Sequence, residues 1–314
     1  MANVKFIEVK SEIGAGTRGA SMGVDALKIA ALDFGSSLFF KTSSVEVKNE
    51  NQLLFEPPRN PYGKRIEGLL KVCERISREV SEALGQKKFP LVLAGDHSTA
   101  AGTISGIKSA FPESRLGVIW IDAHADMHSP YTTPSGNMHG MPLSVVLGED
   151  NLDCKLNEPD EETVALWTKL KNLGGQSPKV QYSDLVFIGL RDLEEQESYL
   201  LKKNKVKVIP VPEIKRNGVE MVAKDALLYL SGCTHIYISF DVDSMDATIS
   251  KGTGTPVRNG ITEKEAGSLC VRLIQNAKVC CFEICEINPT LDNENLMAEN
   301  TFEILQRVVS HITY

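Results

Sequence analysis

The stretch WIDAHADMHS, residues 120–129, joins an apolar run to a group of polar side chains. Residues 117–121 predict a buried strand, and Asp122, His124 and Asp126 follow it at every second position. Side chains two residues apart in an extended chain point to the same side, so these three groups can converge. Two carboxylates and an imidazole at one strand end indicate a metal site.

Two further apolar runs end in a similar way. Residues 236–240 lead into Asp241 and Asp243, again two positions apart, and residues 91–94 lead into His97. Open α/β sheets place their functional sites at the C-terminal ends of the strands, where these groups would meet. The chain has 6 histidines, and four of them, namely His97, His124, His128 and His139, lie in these segments or shortly after them.

Charge explains why such a cluster needs cations. Carboxylates pressed together repel one another, and two divalent ions would balance four aspartates while the imidazoles bind as neutral ligands. A ligand set dominated by oxygen favours Mn²⁺ over Zn²⁺, with Fe, Co and Ni as alternatives. Such a pair, about 3.5–4 Å apart, would hold a bridging water and lower its pKa. The expected metal ligands are His97, Asp122, His124, Asp126, Asp241 and Asp243.

The whole chain alternates short β-branched runs with longer amphipathic ones, which predicts a parallel sheet between layers of helices. The predicted strands are residues 4–9, 38–47, 91–94, 117–121, 185–189, 207–211, 236–240 and 279–285. The predicted helices are residues 23–32, 64–84, 99–110, 142–147, 161–170, 193–203, 218–230, 262–275 and 295–311. We expect a single domain over residues 1–314, with a polar, acid-rich surface insertion at residues 154–181.

The composition of the chain indicates which kinds of partner the protein can bind. The net charge is -7, and the sequence has no Lys/Arg cluster suited to nucleic acid or to an anionic membrane. No apolar run approaches the roughly 20 residues of a spanning helix, and the N-terminus lacks the apolar core of a signal peptide. The 7 cysteines show no CxxC spacing and are typical of reduced thiols. We therefore expect a cytoplasmic protein that binds neither nucleic acid nor membrane.

A set of short motifs carries a family resemblance. The motifs occur in the order GDHS (95–98), DAHAD (122–126), SGNMHG (135–140), SFDVDSMD (239–246), GTGTP (252–256) and EINP (286–289). Together they resemble the ureohydrolase superfamily, and within it the arginases most closely. The resemblance implies a three-layer α/β/α sandwich around a mostly parallel eight-stranded sheet. It also implies that two Mn²⁺ ions and a bridging hydroxide hydrolyse the guanidinium of L-arginine to L-ornithine and urea.

The resemblance assigns a role to each site residue. One ion would be held by His97, Asp122, Asp126 and Asp241, and the other by Asp122, His124, Asp241 and Asp243. Asp126 would also orient the hydroxide, and Glu286 would pair with the guanidinium. His139 would pass a proton to the leaving amine, a task that suits imidazole near neutral pH. His139 also fits the start of the following helix, and the two interpretations are compatible.

The loop SPYTTPSGNMHG, residues 129–140, resembles the arginase segment that recognises the α-carboxylate. Its Ser135 and Asn137 favour a small guanidino substrate with an amino-acid end, L-arginine, over decarboxylated agmatine. Two positions depart from the arginase pattern: His128 stands where asparagine is common, and Glu194 stands where an aspartate follows IGLRD. The substrate contacts that the resemblance implies are His128, Ser135, Asn137, Asp192, Glu194, Glu197 and Thr255.

Other functions stay open. The two departures support a related ureohydrolase of formimidoylglutamase or agmatinase type, acting on another guanidino or formimidoyl substrate. The complete ligand set argues against a non-catalytic metal-binding homologue. Gly14, Gly16 and Gly19 match the nucleotide-binding pattern G-x-G-x-x-G, but Asp33 follows a predicted helix rather than ending the next strand, as the ribose acid of an oxidoreductase should. The resemblance further implies a homo-oligomer, either a trimer or a hexamer.

Overall fold

The computed structural model describes residues 3–313, and strands from this part of the chain form one eight-stranded sheet. The strands are β1 Val4–Val9, β2 Ser43–Glu46, β3 Phe89–Ala94, β4 Leu116–Ile121, β5 Leu185–Ile188, β6 Lys207–Ile209, β7 His235–Asp241 and β8 Val279–Cys285. Every neighbouring pair is parallel. The order across the sheet is β2-β1-β3-β8-β7-β4-β5-β6, so the last strand in sequence lies near the middle.

Helices connect most of the strands. They are α1 Gly23–Asp33, α2 Leu38–Lys41, α3 Ile66–Gly85, α4 Ala100–Ala110, α5 Pro142–Leu147, α6 Glu161–Lys171, α7 Glu195–Lys203, α8 Val211–Asn217, α9 Val219–Tyr229, α10 Glu263–Ile274 and α11 Leu296–His311. Helix α1 ends at Asp33, so this aspartate follows a helix and not a strand, as predicted from the sequence. Within residues 3–313, every helix is too short or too polar to cross a membrane.

Two apolar cores form, one on each face of the sheet. In β4, Ile119 and Ile121 belong to one core, and Val118 and Trp120 belong to the other. Strands covered on both faces are expected to be apolar throughout, and all of β4 is buried. Helices α1, α8, α9, α10 and α11 pack on the first face, and α3 to α7 pack on the second. The predicted three-layer α/β/α sandwich is therefore confirmed.

One strand prediction is wrong. Residues 38–47 do not form a continuous strand, because residues 38–41 form the helical turn α2 and only the short strand β2 follows. The turn places the Phe39 ring beside Phe6 and Phe302, with ring centroids 5.2 and 6.3 Å away. Packing of this ring on the core outweighs the β propensity of the apolar run.

Helix α8 is missing from the sequence predictions, which assign residues 207–211 to a strand. Strand β6 ends before Pro210, which is the N-cap of α8, and Pro212 lies in the first turn of that helix. Gly218 follows the last helical residue with φ 76°. A proline in the first turn and a glycine just beyond the end are helix-boundary signals, although the helix between them is short.

The segment 154–181 contains helix α6, which packs beside α3 and α5. Trp167 and Leu170 of this helix are buried, and the indole Nε1 of Trp167 donates a hydrogen bond of 2.8 Å to Asp150. The segment is thus attached through an apolar face. Its origin as an insertion, and the assignment of residues 1–314 to one domain, stay predictions.

Helices α3 and α4 lie in close contact because α4 carries glycines on the side that faces α3. A Cβ atom at Gly102 would lie 2.8 Å from the Cα of Cys73, and one at Gly106 would lie 2.6 Å from the carbonyl oxygen of Ser77. Backbone atoms in a packed interior cannot move aside as the end of a flexible side chain can. The contact also fixes the start of α4, which follows closely after His97.

Replacing Gly106 by alanine should lower the free energy of unfolding by about 1–3 kcal/mol, because overpacking outweighs the gain in helix propensity. Urea denaturation followed by circular dichroism measures the change. Gly85→Ala is the matched control, because a Cβ there meets no atom of the described chain within 4 Å. The control should be neutral or slightly stabilising, and equal losses in both variants would contradict the proposed helix contact.

Candidate metal centre

Four neighbouring strands in the middle of the sheet end in polar site residues. His97 follows β3, Glu286 follows β8, Asp241 ends β7 and Asp122 follows β4. Because these strands are parallel and adjacent, their C-terminal ends meet at one edge of the sheet. The structure therefore brings together side chains that lie far apart in the sequence.

The imidazole of His97 is surrounded by carboxylates. Its Nδ1 lies 3.1 Å from Asp122 Oδ2, 3.0 Å from Asp126 Oδ2 and 3.1 Å from Asp241 Oδ2. His97 Nδ1 and Asp122 Oδ2 are buried, and neither has a hydrogen-bond partner within residues 3–313. Buried polar atoms are normally satisfied, so converging atoms without partners indicate a place for a cation. His97, Asp122 and Asp126 form one group that could hold a metal ion.

A second group adjoins the first. His124 Nδ1 lies 3.0 Å from Asp243 Oδ2 and 3.5 Å from Asp122 Oδ1. Asp122 thus contributes one oxygen to each group, as expected for a bridging ligand. Asp241 faces the first group through Oδ2, whereas its Oδ1 accepts a hydrogen bond of 2.8 Å from the Asp243 backbone. A bridging role for Asp241 stays a prediction.

The electrostatics of the cluster also fit divalent cations. Burial raises the pKa of Asp126 to about 6, and the charge of Asp122 adds to this effect. Burial, together with the charges of Asp243 and Asp122, raises the pKa of Asp241 well above its usual range. Carboxylates in this position favour losing their charge unless a cation compensates it. The donor set therefore fits two divalent ions in both chemistry and charge.

Two site residues have an unusual backbone conformation. Asp126 has φ 51° and Glu286 has φ 65°, in the left-handed region that non-glycine residues rarely adopt. The Glu286 backbone N–H donates a hydrogen bond of 2.7 Å to the carbonyl oxygen of Gly95, which holds it in this conformation. Such strain is often found where a side chain must be aimed at a functional site.

Glu286 links the cluster to His139. Its Oε1 accepts a hydrogen bond of 2.9 Å from the backbone N–H of His97, and His139 Nδ1 lies 3.1 Å from the same oxygen. Burial lowers the pKa of His139, but the neighbouring Glu286 carboxylate outweighs it and raises this pKa to about 9. This contact makes His139 a candidate proton donor beside the expected metal ligands.

Three residues that sequence reasoning missed position His97. The indole of Trp120 stacks on the imidazole, with ring centroids 4.0 Å apart and planes 6° apart. Ser239 Oγ lies 2.7 Å from His97 Nε2. Asp96 caps the turn that begins at His97, and its carboxylate accepts backbone hydrogen bonds of 2.9 Å from Ser98 and 3.0 Å from Gly14. Ser239 lies two positions before Asp241 on β7, so the same alternation could have identified it. Groups of this kind orient the ligands of a metal.

The cluster opens into a cavity of about 450 Å³. Every site residue expected from the sequence lines this cavity except Asp122, which is buried. The lining residues expected from the sequence are His97, His124, Asp126, His128, Ser135, Asn137, His139, Asp192, Glu194, Glu197, Asp241, Asp243, Thr255 and Glu286. Among the described residues that line it, none is lysine or arginine, so the cavity suits a ligand that carries a positive charge.

The residues expected to contact substrate differ in their surroundings. Thr255 Oγ1 donates a hydrogen bond of 3.0 Å to Asp243 Oδ2, so it supports an expected metal ligand. Asn137 Oδ1 accepts a hydrogen bond of 3.2 Å from Lys64 Nζ, while Ser135 is exposed. Asp192 is exposed, with Oδ2 3.6 Å from His124 Nε2. The remaining residues, His128, Glu194 and Glu197, form a separate group on the wall of the cavity.

Known proteins are similar to this chain over nearly its whole length. The family model described as the arginase family matches residues 2–313. The arginases of Bacillus subtilis and Brevibacillus brevis are each 32% identical to this chain and cover 98% of it, with 97% of each relative aligned. The solved structure of an arginase from Bacillus caldovelox has a TM-score of 0.83 at 29% identity and covers 100% of both chains.

Removing divalent ions with a chelator should lower the melting temperature, and adding Mn²⁺ should restore it, because bound cations relieve the repulsion among the carboxylates. At an ion concentration about 100 times Kd, binding adds about 2.7 kcal/mol per site. Asp122→Asn should abolish most of the shift measured by calorimetry, because the uncharged amide keeps only one oxygen and cannot serve both groups. Asp33→Asn, at an exposed aspartate of α1, should retain the full shift. An undiminished shift in Asp122→Asn would exclude it as a shared ligand.

Proposed function

Because the chain belongs to the arginase family, we propose that it hydrolyses the guanidinium of L-arginine to L-ornithine and urea. The resemblance carried by the motifs is confirmed by the family match, and the alignments span nearly the full length of both chains. Members of this family are hydrolases that act on guanidino groups, and this chain is one of them. The observation that carries the choice of substrate is an acidic cavity with Glu286 beside the candidate metal ligands.

A cationic substrate explains the position of Glu286. The residue is 2% exposed, and a guanidinium would add a second partner of opposite charge beside the His139 imidazole. Its Oε1 lies against His139 and the His97 backbone, and both contacts orient the carboxylate. A guanidinium offers paired N–H donors that match the geometry of a carboxylate. We therefore assign Glu286 to hold the substrate with its central carbon near the metal ligands.

We propose two Mn²⁺ ions as the cofactor, with Fe, Co and Ni as alternatives. When bound, such a pair lowers the pKa of water and supplies a nucleophile for an otherwise unreactive guanidinium carbon. Asp126 would accept a hydrogen bond from the attacking water and orient it. The residues that would hold the ions are His97, Asp122, His124, Asp126, Asp241 and Asp243.

His139 is proposed to deliver a proton to the leaving amine. Expelling a neutral amine requires a donor within reach of the nitrogen, and an imidazolium held by a carboxylate is suited to this task. Its contact with Glu286 through Nδ1 places the donor next to the group that holds the guanidinium. Nε2, the other ring nitrogen, is then available for proton transfer.

The amino-acid end of the substrate would lie towards the opening of the cavity. Ser135 and Asn137 would bind its α-carboxylate, and Asp192, Glu194 and Glu197 would bind its α-ammonium. His128 replaces a common asparagine, and it favours a second candidate function, hydrolysis of a related guanidino or formimidoyl substrate. We also retain as proposals a cytoplasmic location and a homo-oligomeric assembly, either a trimer or a hexamer.

A substrate panel tests the proposal. The Mn²⁺-loaded protein should release urea faster from L-arginine than from agmatine or guanidinobutyrate, because only L-arginine has the carboxylate that Ser135 and Asn137 would bind. It should release no formamide from formimidoylglutamate. Colorimetric urea assays and chromatography of the products measure these rates. Equal rates on agmatine would remove the role given to Ser135 and Asn137, and full metal loading without turnover would indicate a binding-only protein.

His139→Asn should lower kcat by about 10²-fold or more, because the leaving amine loses its proton donor. Metal content, measured by plasma mass spectrometry, should stay unchanged. His235→Asn, at the opposite end of β7, is the matched control and should keep the activity of the original chain. Loss of metal from His139→Asn would instead make this residue a metal ligand.

A further inference from the structure

A separate group of potential ligands lies on the wall of the same cavity and shares no residue with the groups around His97 and Asp122. His128, Glu194 and Glu197 each offer a ligand atom within 4.8 Å of the others. His128 Nε2 lies 3.4 Å from Glu194 Oε2 and 4.0 Å from Glu197 Oε2. We infer that these three side chains form an additional site for a divalent cation.

The imidazole of His128 points into this group without a hydrogen-bond partner. Its side chain is 6% exposed, and within residues 3–313 its Nε2 makes no hydrogen bond. The other ring nitrogen, Nδ1, lies 3.2 Å from Thr132 Oγ1, and this contact sets the orientation of the ring. A buried nitrogen without a partner, facing two carboxylates, is the donor arrangement that a cation completes.

The two carboxylates are held in place by the backbone. Glu197 Oε1 accepts a hydrogen bond of 3.1 Å from the Met127 N–H, and its Oε2 accepts one of 3.3 Å from the Glu194 N–H. Glu194 is the N-cap of α7, and Glu197 completes the capping box. The Glu194 side chain is 51% exposed, so an ion can enter from solvent. The ligands are therefore arranged before any ion binds.

The ligand type and spacing suit Zn²⁺. Zinc binds imidazole and carboxylate at about 2.0–2.2 Å in tetrahedral geometry, which separates neighbouring ligand atoms by about 3.4 Å. Three protein ligands leave a fourth position for water, as in open zinc sites. The His128 to Glu194 distance already has this value, and a small movement of the His128 ring towards Glu197 would shorten the longer contact.

Occupancy of this site should interfere with substrate binding, and this consequence rests on the proposed function. The same carboxylates are the ones proposed to bind the α-ammonium of the substrate. A divalent ion and an ammonium cannot both occupy the space between them. Excess zinc should therefore raise KM for L-arginine while a third ion is bound.

Zinc content after equilibrium dialysis tests the site independently of activity. The full chain dialysed against Zn²⁺ should hold about three ions, and His128→Asn and Glu194→Gln should each hold about two. Plasma mass spectrometry measures the zinc, and the protein concentration is taken from amino-acid analysis. Glu195→Gln is the matched control, because Glu195 is an exposed neighbour outside the group, and it should keep the third ion.

The expected loss of one ion must be specific to the group. Equal zinc content in the original chain, His128→Asn and Glu194→Gln would overturn the site, as would the same loss in Glu195→Gln. Adding L-ornithine should displace the third ion from the original chain and leave the other two. Retention of the third ion at saturating L-ornithine would overturn the competition. A urea assay that fails while zinc content follows the expected pattern would refute the proposed function alone.

Discussion

Mutual repulsion among buried carboxylates is the constraint on which the site depends. Asp122, Asp126, Asp241 and Asp243 are each no more than 8% exposed, and two imidazoles alone do not offset their charge. Burial and like charge raise the pKa of Asp126 and of Asp241, so the cluster favours protonation or a bound cation. A protein that retains this arrangement needs a rigid framework to hold the side chains together and a cation to compensate their negative charge.

The sheet supplies that framework. Strands β3, β8, β7 and β4 are fixed by parallel neighbours, and apolar cores cover both faces. The polar groups extend just past the last hydrogen-bonded residues, where the chain can turn and direct side chains into the cavity. The left-handed backbone at Asp126 and Glu286 occurs at two of these turns. Stability from the apolar strands therefore offsets both local strain and charge repulsion at their ends.

Most of the fold, and the place where the site residues meet, could be predicted because both depend on local periodicity. Spacing of two residues identifies His124 beside Asp122, and strand ends identify His97 and Asp241. Contacts between distant segments could not be predicted in this way: Thr255 hydrogen-bonds to Asp243, and Trp120 stacks on His97. The helical turn at residues 38–41 could not be predicted for the same reason. The position of Phe39 is set by contacts with the core and not by its neighbours in sequence. His128 and Glu194, the two positions that differ from the arginase pattern, likewise lie far apart in sequence but are in contact in the structure.

The strand order has a consequence for how the chain folds. Strand β8 is made after all the others, yet it pairs with β3 on one side and β7 on the other. Until residues 279–285 emerge from the ribosome, β3 and β7 both present unpaired backbone edges that can join another chain. The newly synthesised protein must therefore protect two open edges at its centre while the chain between β7 and β8, residues 242–278, is made. Its sheet can close only when this late segment inserts between them.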